Sequence, residues 1–183
     1  MPRHLTTIAL AAIAAAITST AFAQQGEATE YVCPQIAEAP VLDAALDDAC
    51  WPQAPEPPTF YRLGVGADEA PAQTRVRFVM DDDALYVGVD ADTREGETPA
   101  AIERERDGKV WYDAGVELFL SPSFVDDTYY QMALNAVGSY ADLKHAPGMS
   151  PDDKIAWNPE WEIAAKPREG GWSAEARIPW AAS

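Results

Sequence analysis

Between Gln73 and Trp180 the chain alternates apolar and polar residues with a period of two, and tryptophans recur along the run. That period belongs to strands buried on one face, because successive side chains of an extended chain point to opposite sides. In Thr74–Met80, residues Thr74, Val76, Phe78 and Met80 share a face; in the next arm Leu85, Val87, Val89 and Ala91 do. Asp81, Asp82 and Asp83 lie between them and supply a turn. Further strand signals run through 111–120, 129–135, 161–165 and 172–180, separated by polar and Gly-containing turns. The order predicts an all-β chain folded as an antiparallel two-sheet β-sandwich. One short helix is predicted, from Thr98-Pro99 to about Arg106, with threonine as N-cap and proline at the first helical position.

The ends and the composition bound the rest. Residues 1–23 carry Arg3 and His4, an apolar alanine-rich stretch from Leu5 to Ile17, and the small-residue exit Ala21-Phe22-Ala23. This reads as a signal peptide cleaved before Gln24, placing the mature chain in the periplasm or outside the cell. Its apolar stretch is too short for a retained membrane span, so no membrane insertion is expected. Residues 24–40 form a polar lead-in that need not be ordered, and residues 41–183 form the sandwich. Pro52, Pro55, Pro57, Pro58 and Pro71 surround Phe60-Tyr61 and mark an irregular edge segment. The formal charge is −17 for the whole chain, and −18 once Arg3 is removed. Such a balance repels nucleic acid and anionic lipid and suits neutral ligands or cations. Cys33 and Cys50 fall in a disulfide-permissive compartment; a bond between them would close a loop of about 16 residues and add roughly 3 kcal/mol. Cys50 can equally be a buried thiol beside Trp51.

Several segments together resemble the family 9 carbohydrate-binding modules and the related DOMON-type sandwiches, over most of the chain after residue 40. They are Val41-Leu-Asp43 with Leu46 to Trp51, the Asp-rich hairpin before Leu85-Tyr-Val-Gly-Val89, the strand Val116-Glu-Leu-Phe-Leu120, and Gly170-Gly-Trp-Ser-Ala-Glu-Ala-Arg-Ile-Pro-Trp180. The resemblance implies an immunoglobulin- or jelly-roll-like sandwich that binds a mono- or oligosaccharide, or a polysaccharide end, without catalysis. Hydrolase activity would then belong to a partner, a glycoside hydrolase or an outer-membrane system. Family members continue for several strands beyond the position of Ser183, so the resemblance implies that the last strands are missing or that the fold closes differently.

Six tryptophans are many for this length, and an aromatic ring is a natural platform for the apolar face of a sugar. In the resembled modules two tryptophans sandwich a terminal sugar, one of them just before the Val-Glu strand. Trp111 matches that position, with ordinary packing as the alternative. Glu117 matches a carboxylate that accepts sugar hydroxyls, and Gln131 and Asn135 match amides on the next strand. Ala133 stands where the family places a basic residue, and the family's second clamping tryptophan falls beyond Ser183. Trp157, in a loop, is a candidate for that second platform. Trp51, Trp161, Trp172 and Trp180 are expected in the core. No catalytic residue is assigned, since His145 is the only histidine after residue 23 and no nucleophile motif accompanies it. Calcium has candidate oxygen ligands in Asp81–Asp83, Asp126-Asp127 and Asp152-Asp153, although no EF-hand spacing occurs and no metal site is assigned. The alternative function is haem binding for electron transfer, for which Met80, Met132, Lys144 and His145 supply the ligand types.

Overall fold

A computed structural model describes residues 30–64, 68–123, 125 and 127–180. The chain divides into Met1–Glu30 and Tyr31–Ser183, and the structural account concerns the second unit. The expected signal peptide and the first part of the lead-in lie outside the described residues.

Among the described residues, seven strands form two antiparallel sheets. β1 (Thr74–Met80), β2 (Ala84–Asp92), β6 (Glu162–Arg168) and β7 (Gly171–Pro179) make a four-stranded sheet in the order β1-β2-β7-β6. β3 (Gly115–Leu120), β4 (Tyr129–Asn135) and β5 (Tyr140–His145) make a three-stranded sheet in that order. The first hairpin pairs Met80 with Leu85 across the acidic turn. There Asp81 takes the amides of Asp83 and Ala84, each at 2.8 Å, and the Tyr86 hydroxyl at 2.8 Å. The aspartate side chain thus builds the turn through local hydrogen bonds.

The main core lies between the sheets. From the first sheet come Val87, Val89, Ala91, Trp172, Ala174, Ala176 and Ile178; from the second, Met132 and Leu134 with Val116, Leu118 and Leu120 packed against them. Trp161 and Trp172 are buried here, as the alternation predicts.

A third layer covers the other face of the four-stranded sheet. Ile36, Cys50 and Trp51 pack there on Val79, Ala84 and Tyr86. Residues 34–36 also add to the edge of β1, through Ile36 N donating to Met80 O at 2.8 Å and Met80 N to Pro34 O at 2.9 Å. This part of the lead-in is therefore ordered. The layer is pinned by Glu175, fully buried on β7, whose carboxylate accepts the amides of Asp43 (2.9 Å) and Ala44 (2.7 Å) and the indole N–H of Trp51 (2.9 Å). Three donors satisfy a charge that would otherwise be costly to bury. Gly88 makes room for the indole, since a Cβ there would stand 2.9 Å from a Trp51 ring carbon.

Three expectations need correction. No helix forms over 98–106. The backbone of that segment is claimed by distant partners instead: Glu103 N donates to Asp113 Oδ2 at 2.8 Å, Asn135 Nδ2 donates to Glu103 O at 3.1 Å, and Ala114 N donates to Ala100 O at 2.7 Å. A five-residue helix, α1 (Pro151–Ile155), forms elsewhere, with Ser150 and Asp153 closing a reciprocal capping box. Cys33 and Cys50 are not bonded to each other; both are free thiols whose pKa burial pushes up, which disfavours the thiolate that oxidation needs. Finally, Trp180 is not core: it lies half-exposed over the first hairpin, its Nε1 donating to Asp81 O at 3.0 Å.

Candidate functional site

The outer face of β3-β4-β5 gathers most of the predicted ligand residues, because alternation sorts their neighbours into the core. On β3, Val116, Leu118 and Leu120 pack inward while Glu117 and Phe119 are exposed. On β4, Tyr130, Met132 and Leu134 are buried, leaving Tyr129 and Gln131 on the outer side. The register sets Glu117 opposite Ala133, Phe119 opposite Gln131, and Tyr129 opposite His145.

A hydrogen-bonded row crosses this face. Gln131 Nε2 donates to Glu117 Oε2 at 2.6 Å, and Gln131 Oε1 meets His145 Nε2 at 3.0 Å. An amide that gives its nitrogen to a carboxylate presents its oxygen to the imidazole, so His145 serves as the donor through Nε2–H. Burial, with a smaller contribution from Lys154, holds the His145 pKa below its usual value, so the ring is neutral near pH 7. Beside the row, His145 stacks face to face on Tyr129 at 4.3 Å, and Tyr129 meets Phe119 at 6.3 Å.

At the other end of the face stands a 3₁₀ turn, Val110–Tyr112. Val110 is buried in a small cluster with Ala133 and Ala141. Ala133 is the cross-strand partner of Glu117, so the turn rests one position from the carboxylate. A long side chain in place of Ala133 would displace Val110. Trp111 and Tyr112 follow it outward, the indole 38% exposed and tilted against Tyr112 at 6.3 Å.

The turn is held from below by Asn135, which is 0% exposed. Its Nδ2 donates to Asp113 Oδ2 at 2.9 Å and to Glu103 O, and its Oδ1 accepts Val137 N at 3.2 Å and Ser139 N at 2.9 Å. Asn135 therefore has no group left for a ligand, and its prediction as a sugar contact is corrected: it is a positioning residue. Partial burial opposes ionisation of Asp113, but the amides of Ile102 and Glu103 and the Asn135 side chain outweigh it, and the pKa falls below its usual value. Glu103 is likewise lowered, by the amides of Glu105, Arg104 and Lys109. Sequence reasoning missed these anchors because each depends on a contact more than twenty residues away or on loop geometry.

Trp157 does not join the site. Its ring packs 4.5 Å from that of Tyr130, which projects to the opposite side of β4 from Gln131. There it lines a mostly apolar cavity of about 260 Å³ with Leu85, Leu120, Met132 and Ile178. Of the haem ligand types, Met132 faces the core while His145 is on the outer face, so these two cannot flank one haem. Lys144 lies over the Tyr130 ring at 5.7 Å. Among the described residues no three His, Cys, Asp or Glu side chains gather as a metal site; Asp81 and Asp153 serve a turn and a helix cap, and Asp126 lies outside the described residues.

No curated protein matches the chain significantly. Among solved structures, a candidate carbohydrate-binding protein from Bacteroides uniformis is similar with a TM-score of 0.58 at 17% identity, covering 82% of this chain and 72% of that one. A family 9 carbohydrate-binding module from Caldicellulosiruptor kristjanssonii is similar in its cellotriose complex, with a TM-score of 0.52 at 18% identity over 82% of this chain and 67% of the other. Its glucose complex gives 0.53 at 18% identity over 83% and 69%. These likenesses concern the fold. The sequence model described as "Carbohydrate family 9 binding domain-like" matches residues 42–183, most of the chain, and the protein belongs to that family.

Proposed function

We propose that this chain is an exported, non-catalytic carbohydrate-binding domain that stacks a sugar on Trp111 and hydrogen-bonds it through Glu117, with Gln131 fixing the carboxylate. The carrying observation is an exposed indole on a turn seated one position from a carboxylate that a neighbouring amide orients. An indole gives the apolar platform, and an ionised carboxylate accepts hydroxyl donors, a combination suited to one face of a pyranose. Membership of the family supports the ligand class, and the strongly negative charge favours a neutral sugar over an anionic one. Residues 1–23 support export to the periplasm or beyond, where the domain would hold a polysaccharide end for a separate hydrolase or an outer-membrane uptake system.

The test is a titration with mono- and oligosaccharides followed by tryptophan fluorescence and calorimetry. Trp111→Ala abolishes binding and leaves the melt unchanged, while Glu117→Gln weakens binding by roughly ten-fold, the worth of a hydrogen bond to a charged group. Undiminished affinity in Trp111→Ala overturns the assignment.

A further inference from the structure

Trp111 and Glu117 account for only one end of the outer face, and an exposed aromatic group occupies the other. Phe119 is 59% exposed although it sits mid-strand between two residues that pack into the core. Its ring adjoins Tyr129, which His145 backs by parallel stacking. His145 is in turn fixed by Gln131, whose other end holds Glu117. The face therefore carries exposed aromatics on both sides of a polar row: Trp111 and Tyr112 on the turn that Val110 seats on Ala133, and Phe119 backed by Tyr129 and His145, with Glu117 and Gln131 beside both. A side chain merely filling the surface needs no such backing, and large apolar groups held exposed beside oriented hydrogen-bonding groups mark recognition surfaces.

Spacing sets the occupant. Glu117 and Phe119 are two residues apart on β3, about 7 Å, comparable with the length of one pyranose ring; the four residues from Gly115 to Phe119 span roughly 14 Å. Among the described residues β3 is also the edge strand of its sheet. We propose that this face binds a linear, uncharged oligosaccharide along β3, with Phe119 as a second stacking platform one or more sugar residues from Trp111. The inference rests on the carbohydrate reading above and extends it from a terminal sugar to a chain of several. The negative charge of the protein argues against a uronic-acid polymer as the occupant.

The experiment is calorimetric titration of the full chain with β-1,4-linked gluco-, xylo- and manno-oligosaccharides of increasing length, starting from the monosaccharides. Affinity for the preferred series rises about ten-fold between the monosaccharide and the trisaccharide, the gain expected for one more stacked ring. In Phe119→Ala that ratio collapses toward one, while the melting temperature stays at the wild-type value because the ring is exposed. In Trp111→Ala, affinity falls for every length. A length dependence that survives Phe119→Ala overturns the second platform, as does an affinity that is flat with length in the wild type. Monosaccharide binding with flat length dependence removes only this inference; absence of binding across all three series removes the carbohydrate reading and this inference with it.

Discussion

Replacing Asn135 by aspartate changes one atom of the side chain and tests the anchor beneath Trp111. The native amide nitrogen stands 2.9 Å from Asp113 Oδ2 and 3.1 Å from Glu103 O, both acceptors. An aspartate there sets a carboxylate oxygen against both, in a site with no solvent on the side chain of residue 135. Two carboxylates at that distance cannot both be ionised, so the pair retains one proton in the fold. Holding a proton at pH 7 on a group of ordinary pKa near 3.9 costs about 4 kcal/mol, and partial exposure of Asp113 reduces this to about 2–4 kcal/mol. The sign follows from the raised folded-state pKa: stability is present at low pH and lost as pH rises. The deficit relative to wild type therefore shrinks by up to about 1.4 kcal/mol for each unit that pH falls from 7 toward 5. Urea denaturation of both proteins at pH 5, 6, 7 and 8 measures it. A deficit that is the same at every pH, or that is absent at pH 8, refutes the account of Asn135 as a donor to Asp113.

Glu175→Gln keeps the shape of the clamp but turns an amide nitrogen toward at least one of three N–H donors. It costs about 2–4 kcal/mol in chemical denaturation, and sugar affinity is unchanged because the outer face of the other sheet is untouched; a loss under 0.5 kcal/mol contradicts the clamp. Asp92 is lowered in pKa chiefly by its hydrogen bond from Arg168, so its contribution is present above the unfolded value and lost as pH falls through the folded one. The melting temperature is accordingly steady above about pH 5 and declines below about pH 4, and Arg168→Gln flattens that decline.

Strand content was legible wherever one face of a strand is dry. Trp172, Ala174, Ala176 and Ile178 alternate in the sequence because they all enter the inter-sheet core, and the Asp81 turn writes its hydrogen bonds in neighbouring residues. Glu117 and Gln131, which the resemblance singles out, stand on the outer side of β3 and β4 because their strand neighbours pack inward. Asn135 shares that parity, yet the loop from Ala100 to Asp113 folds over it, and parity carries no information about what covers a face. The same loop was misread as a helix because Thr98-Pro99 is a good local start, whereas Asp113 and Asn135 supply stronger partners from afar. Trp51 looked like core and is buried, but in a separate layer; Trp180 looked identical in pattern and is not covered. The capping box of α1 is written in Ser150-Pro-Asp-Asp153, whose aspartates equally suit calcium in the sequence but serve the helix in the fold.

The Glu175 clamp also sets an order of events during synthesis. Asp43, Ala44 and Trp51 leave the ribosome early, but their acceptor lies on the last strand of the sheet, more than 120 residues later. β2 waits for the same strand, since β7 is its second neighbour. Neither the outer layer nor the four-stranded sheet can close until Gly171–Pro179 is available. The outer layer and the four-stranded sheet therefore close together with Gly171–Pro179, in a concerted step whose rate is limited by long-range pairing.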